Sequence, residues 1–466
     1  MTLSDQALRR KSVERLIADA ESEGQQSLKR ALGAIDLTLL GIGAIVGAGI
    51  FVLTGVAAAT KAGPAVVLSF VVSGFACAMA ALCYAEFAAM IPVAGSAYSY
   101  SYATMGELVG WIIGWDLILE YAVGAGAVAV GWSGYLRVIL DGLGIHLPAA
   151  LTHAPGSFPG GVVDLPALLI VLLVSAVLYV GISESARLNS IIVAIKLTVI
   201  MIVIGVGAFY VRPSNWTPFF PFGWPGVMRG AAVIFFAYVG FDAVSTAAEE
   251  VVDPDRNLPR GILGSLLICT ALYLAVSGVL TGMVPALAIN VNAPLASAFV
   301  SRGLNFVSGI ISLGAVAGLT SVLLVLLLGQ SRVFFAMSRD GLLPPIFSRV
   351  HPRFKTPHVP TCFTGLAVGL IAALLPIEEI AELTNIGTLF AFVLVCAGVW
   401  ILRTREPELR RSFRTPMVPL VPILGIFCCL YLMASLPEVT WFRFVIWLAV
   451  GLWIYVSYGR HRSRLT

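Results

Sequence analysis

The chain has 466 residues, 59% of them apolar and only 12% charged, with a formal net charge of +4. That charged share is about half the share usual in water-soluble domains, so an ordinary soluble globule is excluded and the chain belongs in a bilayer. Its positive balance follows from how Lys and Arg are distributed about the membrane, and no nucleic-acid partner is needed to explain it.

A helical span needs roughly 20 predominantly apolar residues. About twelve stretches qualify, near 33–60, 64–91, 107–140, 163–182, 188–211, 227–249, 261–284, 306–336, 358–375, 383–402, 418–436 and 441–458. The expected fold is therefore an all-α integral membrane protein. Residues 1–30 ahead of the first span are polar and charged, unlike a cleavable signal peptide. Within them, Leu8, Val13, Leu16 and Ile17 alternate with Arg9, Arg10, Lys11 and Arg15. This pattern reads as a short basic amphipathic helix on the inner membrane surface, with a solvated tail as the competing reading.

The first span is interrupted by glycine in LGIGAIVGAGIF, Leu40 to Phe51. In lipid every backbone N–H and C=O needs a partner within the protein, so unwound helix survives only where it is buried or lines a cavity. Transporters hold solutes at such breaks. Taken alone, Gly41, Gly43, Gly47 and Gly49 also fit close helix packing. A second interruption, FFAYVGFDA at Phe235 to Ala243, lies five spans later and favours a site. An odd number of spans per unit makes the second unit insert upside down relative to the first. The expected division is a segment 1–30, a first repeat 31–211, an inverted second repeat 227–402, and a peripheral pair of spans with the C-terminus in 403–466.

Each half-helix exposes N–H groups at one end and C=O groups at the other, with partial charges of about half a unit. An amino acid zwitterion matches such a pair of ends. N–H groups around Gly47, Ala48 and Gly49 suit a carboxylate, and carbonyls around Phe236, Ala237 and Val239 suit an ammonium. Three ionisable residues lie deep in spans: Glu120 in the third, Lys196 in the fifth and Asp242 in the sixth. A charge at the bilayer centre costs at least roughly 2.5–3.5 kcal/mol on insertion scales, so such residues mark function. Lys196 should pair with a carboxylate or with carbonyls freed by the first break. Asp242 is a candidate proton carrier. Glu120 faces the pocket or partners Tyr121, Asp116 or a neighbouring helix. Asp116 and Glu86 stand nearer span ends, where solvated or structural roles prevail, and Glu249 and Glu250 read as anchors of an inner gate. Phe235, Phe236, Tyr238 and Phe241 offer a lid or simple packing.

Four loops are long enough to note, near 141–162, 249–260, 285–305 and 337–357, and paired prolines make the last a short amphipathic helix with rigid turns. The seven cysteines, Cys77, Cys83, Cys269, Cys362, Cys396, Cys428 and Cys429, show no CxxC pattern and read as small core residues. His146, His153, His351, His358 and His461 are scattered, without a triad order. No metal, cofactor or enzymatic activity is expected. Lys and Arg concentrate in the tail, in 332–355, in 403–414 and in 460–464, which places both termini in the cytoplasm.

Four segments carry a family resemblance: LKRALGAIDLTLLGIGAIVGAGIFVLTG from Leu28, PVAGSAYSYSYATMGELVGWIIGWDLILEY from Pro92, FFAYVGFDAVSTAAEEVVDPDRNLPRGI from Phe235 and RVFFAMSRDGLLP from Arg332. With them the chain resembles, over nearly its whole length, the cationic amino acid transporter branch of the amino acid–polyamine–organocation superfamily in a bacterial form. The resemblance implies a LeuT-like five-plus-five inverted repeat with helices 1 and 6 unwound, two extra helices, alternating access and sodium-independent amino acid transport. It implies that Ile45, Ala48 and Gly49 receive the carboxylate, that Phe236, Ala237 and Val239 receive the amine, and that Lys196 stands in the sodium position. Glu120 and Asp242 match acidic positions used for substrate or proton handling. Ala48 departs from the hydroxyl residue frequent in relatives, and Thr246, one turn beyond Asp242, is the substitute for it. Twelve spans also fall short of the fourteen typical of animal members.

Ser321, Val325 and Leu326 of the eighth span fall near the expected pocket wall. Bulky Leu326 favours small neutral substrates such as alanine, while Glu120 argues for cationic ones. The expected activity is proton-coupled amino acid transport. The rival readings are an amino acid or polyamine exchanger without net proton flux, and a transporter-like amino acid sensor. Expected partners are the amino acid, protons and lipid, with room for a small single-span membrane partner.

Overall fold

The computed structural model describes residues 32–91, 96–181, 186–354 and 356–463. The amphipathic reading of residues 1–30 therefore lies outside the described residues. Seven helical stretches are long and apolar enough to cross a membrane, and four shorter apolar helices accompany them. The stretch 49–90 is two spans, because Gly63 takes φ +66° and Pro64 follows it, turning the chain between them.

Counted as spans together with the interrupted segment 223–250, which falls in neither group, they begin with α1 (Ala34–Ile45 continued by 49–62), α2 (Val66–Met90), α3 (Glu107–Gly142), α4 (Leu165–Val180) and α5 (Ala186–Ala208). The next unit holds α6 (Gly223–Ile234, continued by Phe235–Tyr238 and Phe241–Glu250), α7 (Pro254–Met283), α8 (Asn305–Arg339), α9 (His358–Leu374) and α10 (Ile377–Arg405). The peripheral pair is α11 (Leu420–Ala434) and α12 (Glu438–Ile454). Among the described residues the β-structure is two isolated bridges, Leu32 with Val251 and Thr152 with Asp164.

Helix ends account for most departures from the expected boundaries. The segment 249–260 is not a loop throughout, because α7 starts at Pro254, a residue suited to the first helical position, where an N–H has no partner anyway. α10 starts at Ile377 because Glu378 and Glu379 favour the positive end of the helix dipole, although they end an apolar run. The short helix expected in 337–357 is only a 3₁₀ turn, Pro345–Ser348. Pro344 and Pro345 restrict the backbone there too strongly for a longer one. The segment 285–305 holds a short helix of its own, Pro294–Val300.

Packing repeats with an offset of five helices. α2 lies on α7, α3 on α8 and α4 on α9. The contact of α3 with α10 has a counterpart in α8 with α5, and α2 with α6 has one in α7 with α1. Exchanging each of the first five helices for the one five places later reproduces the set of principal neighbours, as a five-plus-five fold requires. α11 and α12 stand outside this exchange. α11 packs on α2 and α10, and α12 on α3 and α10. α12 is anchored by tryptophans: Trp115 Nε1 donates to Trp447 O at 2.8 Å, Trp447 Nε1 to Trp115 O at 3.1 Å, and Trp111 Nε1 to Gly451 O at 3.0 Å.

Glu86 is structural, as its place near the end of α2 implied. Arg403 of α10 clasps both of its oxygens at 2.8 Å, and the Thr415 N–H donates to it at 2.8 Å. Five of the cysteines are buried, Cys428 is half-buried and Cys362 is exposed. Among the described residues no group of three candidate ligands is placed to hold a metal.

Candidate functional site

Both expected breaks are present. In α1 the helix stops at Ile45, Val46 is extended at φ −74° and ψ 94°, and winding resumes as a π-type turn at Gly49. In α6 the 3₁₀ turn Phe235–Tyr238 gives way to extended Val239 and then to Gly240 at φ +114°, before the 3₁₀ segment from Phe241. A side chain at residue 240 would be strained by that φ alone.

The breaks touch each other. A Cβ on Gly49 would lie 2.2 Å from Ala237 Cα, and a Cβ on Gly240 would lie 3.0 Å from the Ala44 carbonyl. Backbone against backbone leaves nothing to move aside, so both positions need glycine. Ile45, Gly47, Ala48, Gly49, Phe236 and Ala237 are all buried there, and Val239 is half-buried beside them.

Freed carbonyls are met from neighbouring helices. The Lys196 ammonium of α5, wholly buried, donates to Gly43 O at 2.7 Å, and its stem lies against Gly318 of α8. Of the two arrangements expected for this lysine, the carbonyl partner is present. Tyr273 of α7 stands between the breaks, its hydroxyl 3.0 Å from Ile45 O and 2.9 Å from Ala237 O. With a single proton it donates to one carbonyl at a time. Asn385 of α10 donates to Ala232 O at 2.7 Å and Val233 O at 2.9 Å. The N–H of Gly47, by contrast, makes no main-chain hydrogen bond among the described residues. Donors at the start of a half-helix can hold an anion.

Four helices meet around Gly124 of α3. Its missing side chain leaves space bounded by Thr384 of α10, Leu326 of α8 and Phe236 of α6, all within 3.9 Å of where a Cβ would stand. Gly47 faces Val322 of α8 in the same way. Glu120 lies one turn from Gly124 and is 3% exposed. Its Oε1 has no hydrogen-bond partner among the described residues, and Thr388, Asp242 and Asp116 are its electrostatic neighbours. Asp242, also 3% exposed, stands just past the α6 break.

Other expected residues fall differently. The Ser321 hydroxyl donates to Gly318 O at 2.8 Å within its own helix. The side chains of Thr246, Glu249 and Glu250 lie outside the described part of α6. Phe235 and Phe241 pack on Phe392 of α10, with ring centroids 5.5 and 5.1 Å away, and Tyr238 donates to Phe70 O at 2.9 Å. Those three are packing, and Phe236 alone of the four aromatics borders the space at Gly124.

Asp116 corrects the reading that put it with solvated or structural residues. It is 0% exposed, and neither carboxyl oxygen has a hydrogen-bond partner among the described residues. Gly387 makes room for it, since a Cβ there would lie 2.7 Å from Oδ1. Tyr273, Thr384, Asn385 and Thr388 escaped the sequence reading altogether. A signal was available in TNIGT, 384–388, whose Thr384, Asn385 and Thr388 recur at helical spacing inside an apolar span.

The arrangement supplies main-chain donors, main-chain acceptors and buried fixed charges, which suits reversible capture of a solute. Comparison with known proteins agrees. The amino acid permease family profile matches residues 32–456. The chain is 54% identical over 460 residues to the branched-chain amino acid permease BcaP of Bacillus subtilis (strain 168), covering 98% of both chains. It is 52% identical over 457 residues to the methylthioribose transporter of the same organism, again covering 98% of both. With the vacuolar cationic amino acid transporter 2 of Arabidopsis thaliana it shares 42% identity over 409 residues, 86% of this chain and 64% of the relative. Family and architecture together make this a multi-pass membrane transporter, not an enzyme: the chain belongs to the amino acid permease family of the amino acid–polyamine–organocation superfamily.

Proposed function

We propose that the protein is a sodium-independent, proton-coupled importer of neutral amino acids working by alternating access. The observation that carries this reading is the Lys196 ammonium seated on Gly43 O at the α1 break. A built-in cation satisfies the carbonyl end of the half-helix, so no bound sodium ion is needed to do so. The substrate carboxylate then meets the N–H groups at Gly47, Ala48 and Gly49, with Ile45 at its edge. Its ammonium meets the carbonyl side of the α6 break at Phe236, Ala237 and Val239. Asp242 and Glu120 are the proposed proton carriers, with Thr246 as the hydroxyl that replaces the one lacking at Ala48.

The substrate side chain points into the space at Gly124. Leu326 and Phe236 make its wall apolar, which favours alanine and branched aliphatic side chains over arginine. Likeness to a branched-chain amino acid permease supports that class. Likeness to a methylthioribose transporter makes a neutral thioether sugar the second substrate to try. The proposed repeat units are 31–211 and 227–402. The proposed setting is the bacterial inner membrane with both termini cytoplasmic, as the distribution of Lys and Arg favours.

The test is uptake of labelled alanine and leucine into liposomes containing the purified protein, with and without an inward proton gradient, in sodium-free buffer. Unlabelled arginine and methylthioribose serve as competitors. Accumulation that needs the gradient and resists arginine is the expected result. Uptake that ignores the gradient and requires amino acid inside makes the protein an exchanger instead.

A further inference from the structure

A cavity of about 590 Å³ lies away from the site at the breaks, at the end of the bundle where α1 ends and α6, α10 and α12 begin. Its volume is that of a small-molecule pocket. Its charges are balanced and come from different helices. Lys61 of α1 and Arg229 of α6 supply two cations, and Glu382 of α10 and Glu438 at the start of α12 supply two carboxylates. Trp224 and Tyr431 complete the wall.

The wall is held in place from behind. Glu382 is 8% exposed and accepts a hydrogen bond from Thr440 Oγ1 at 3.1 Å. Lys61 is fixed by Glu378 at 2.8 Å. Arg229 is exposed and makes no ion pair among the described residues. A lone anion would meet the carboxylates and a lone cation would meet Lys61 and Arg229, so either is opposed by half of the wall. A molecule carrying both charges is opposed by neither. Val233 lines this cavity, and its carbonyl is one of the two that Asn385 holds just ahead of the α6 break, so an occupant bears directly on the α6 half-helix.

We propose that this cavity is a second binding site, for a small zwitterion that joins a primary ammonium to an acid group. Its anionic group meets Arg229 and Lys61, and its ammonium meets Glu382 and Glu438. Two sources carry that chemistry: a free amino acid, and the headgroup of an ethanolamine phospholipid. Trp224 is 55% exposed and Tyr431 47% exposed, as residues at the headgroup level of a membrane are.

The test uses the full-length purified protein and the variants Arg229→Glu and Glu382→Gln, with three probes: labelled alanine, glycerophosphoethanolamine, and phosphatidylethanolamine measured against phosphatidylglycerol by native mass spectrometry. A second equivalent of alanine, weakened about tenfold or more in either variant while the first is kept, assigns the site to free amino acids. Preferential retention of phosphatidylethanolamine with glycerophosphoethanolamine binding, both weakened in the variants, assigns it to the headgroup. The wild-type protein already separates a zwitterion site from an anion site, so a variant that fails to fold leaves the test standing. One alanine at most, no glycerophosphoethanolamine binding and equal retention of the two lipids would overturn the proposal. Loss of the single alanine as well would count against the central site separately.

Discussion

The interruption in α1 contains no residue with positive φ, whereas that in α6 turns on Gly240 at φ +114°. The α1 break is held from outside, by Lys196 on Gly43 O and Tyr273 on Ile45 O. At the α6 break Val239 N donates to Phe236 O at 3.2 Å, Asn385 fastens the turn before it, and Tyr273 also reaches Ala237 O. The α6 break therefore depends on a backbone conformation that glycine permits, the α1 break depends on the Lys196 ammonium, and Tyr273 is shared by both. In the proposed cycle Lys196 supplies a permanent charge at the α1 break, and the proposed proton carrier Asp242 stands beside the α6 break.

The largest expected effect tests the contact between the two. Gly49→Val drives a side chain into Ala237 Cα, where backbone has to move, and transport falls below detection. Stability, read as the thermal midpoint of the detergent-solubilised protein, falls with it by about 1–3 kcal/mol. Retained transport would mean that the breaks do not close on each other during the cycle.

Lys196→Met comes next. It leaves Gly43 O unpartnered, a loss of about 1.5–3 kcal/mol for a charge-assisted bond, and uptake falls roughly 10- to 100-fold. Sodium that rescued uptake in this variant would sharpen the comparison by showing an ion taking the place of the ammonium. Asp242→Asn separates the proposed carrier from the binding site. Gradient-driven accumulation is lost while exchange of internal for external amino acid persists, and unchanged accumulation would remove Asp242 from the proton route.

Tyr273→Phe removes one hydroxyl shared by both breaks and is expected to lower uptake about tenfold. An equal loss in KM and kcat would place the effect on binding and on the moving step together. The smallest effect is one of selectivity. Leu326→Ala widens the space at Gly124 and shifts the competition between leucine and alanine by about 1–3 kcal/mol toward leucine. A variant whose preference did not move would put the substrate side chain elsewhere.

Much of this was legible in the residues. Apolar length determined the number of spans, because a bilayer demands a nearly fixed run of about 20 residues. Glycine marked where α1 and α6 break, since LGIGAIVGAGIF and FFAYVGFDA tolerate unwound backbone, which lipid allows only where it is buried or lines a cavity. Lys196, Glu120 and Asp242 stood out because a buried charge is costly wherever the helix happens to face.

Tertiary structure decided the partners. Nothing in the order of residues says that Tyr273 lies between Ile45 and Ala237, that Asn385 holds Ala232 and Val233, or that Gly387 opens a place for Asp116. Nor does it separate Phe236, which lies beside Gly124, from Phe235 and Phe241, which pack on Phe392. The physical reason is the same in each case. Burial and backbone breaks are penalties set by lipid and can be read along one helix, whereas a hydrogen bond or a cavity wall is made by helices distant in sequence, and its members are known only once those helices have packed.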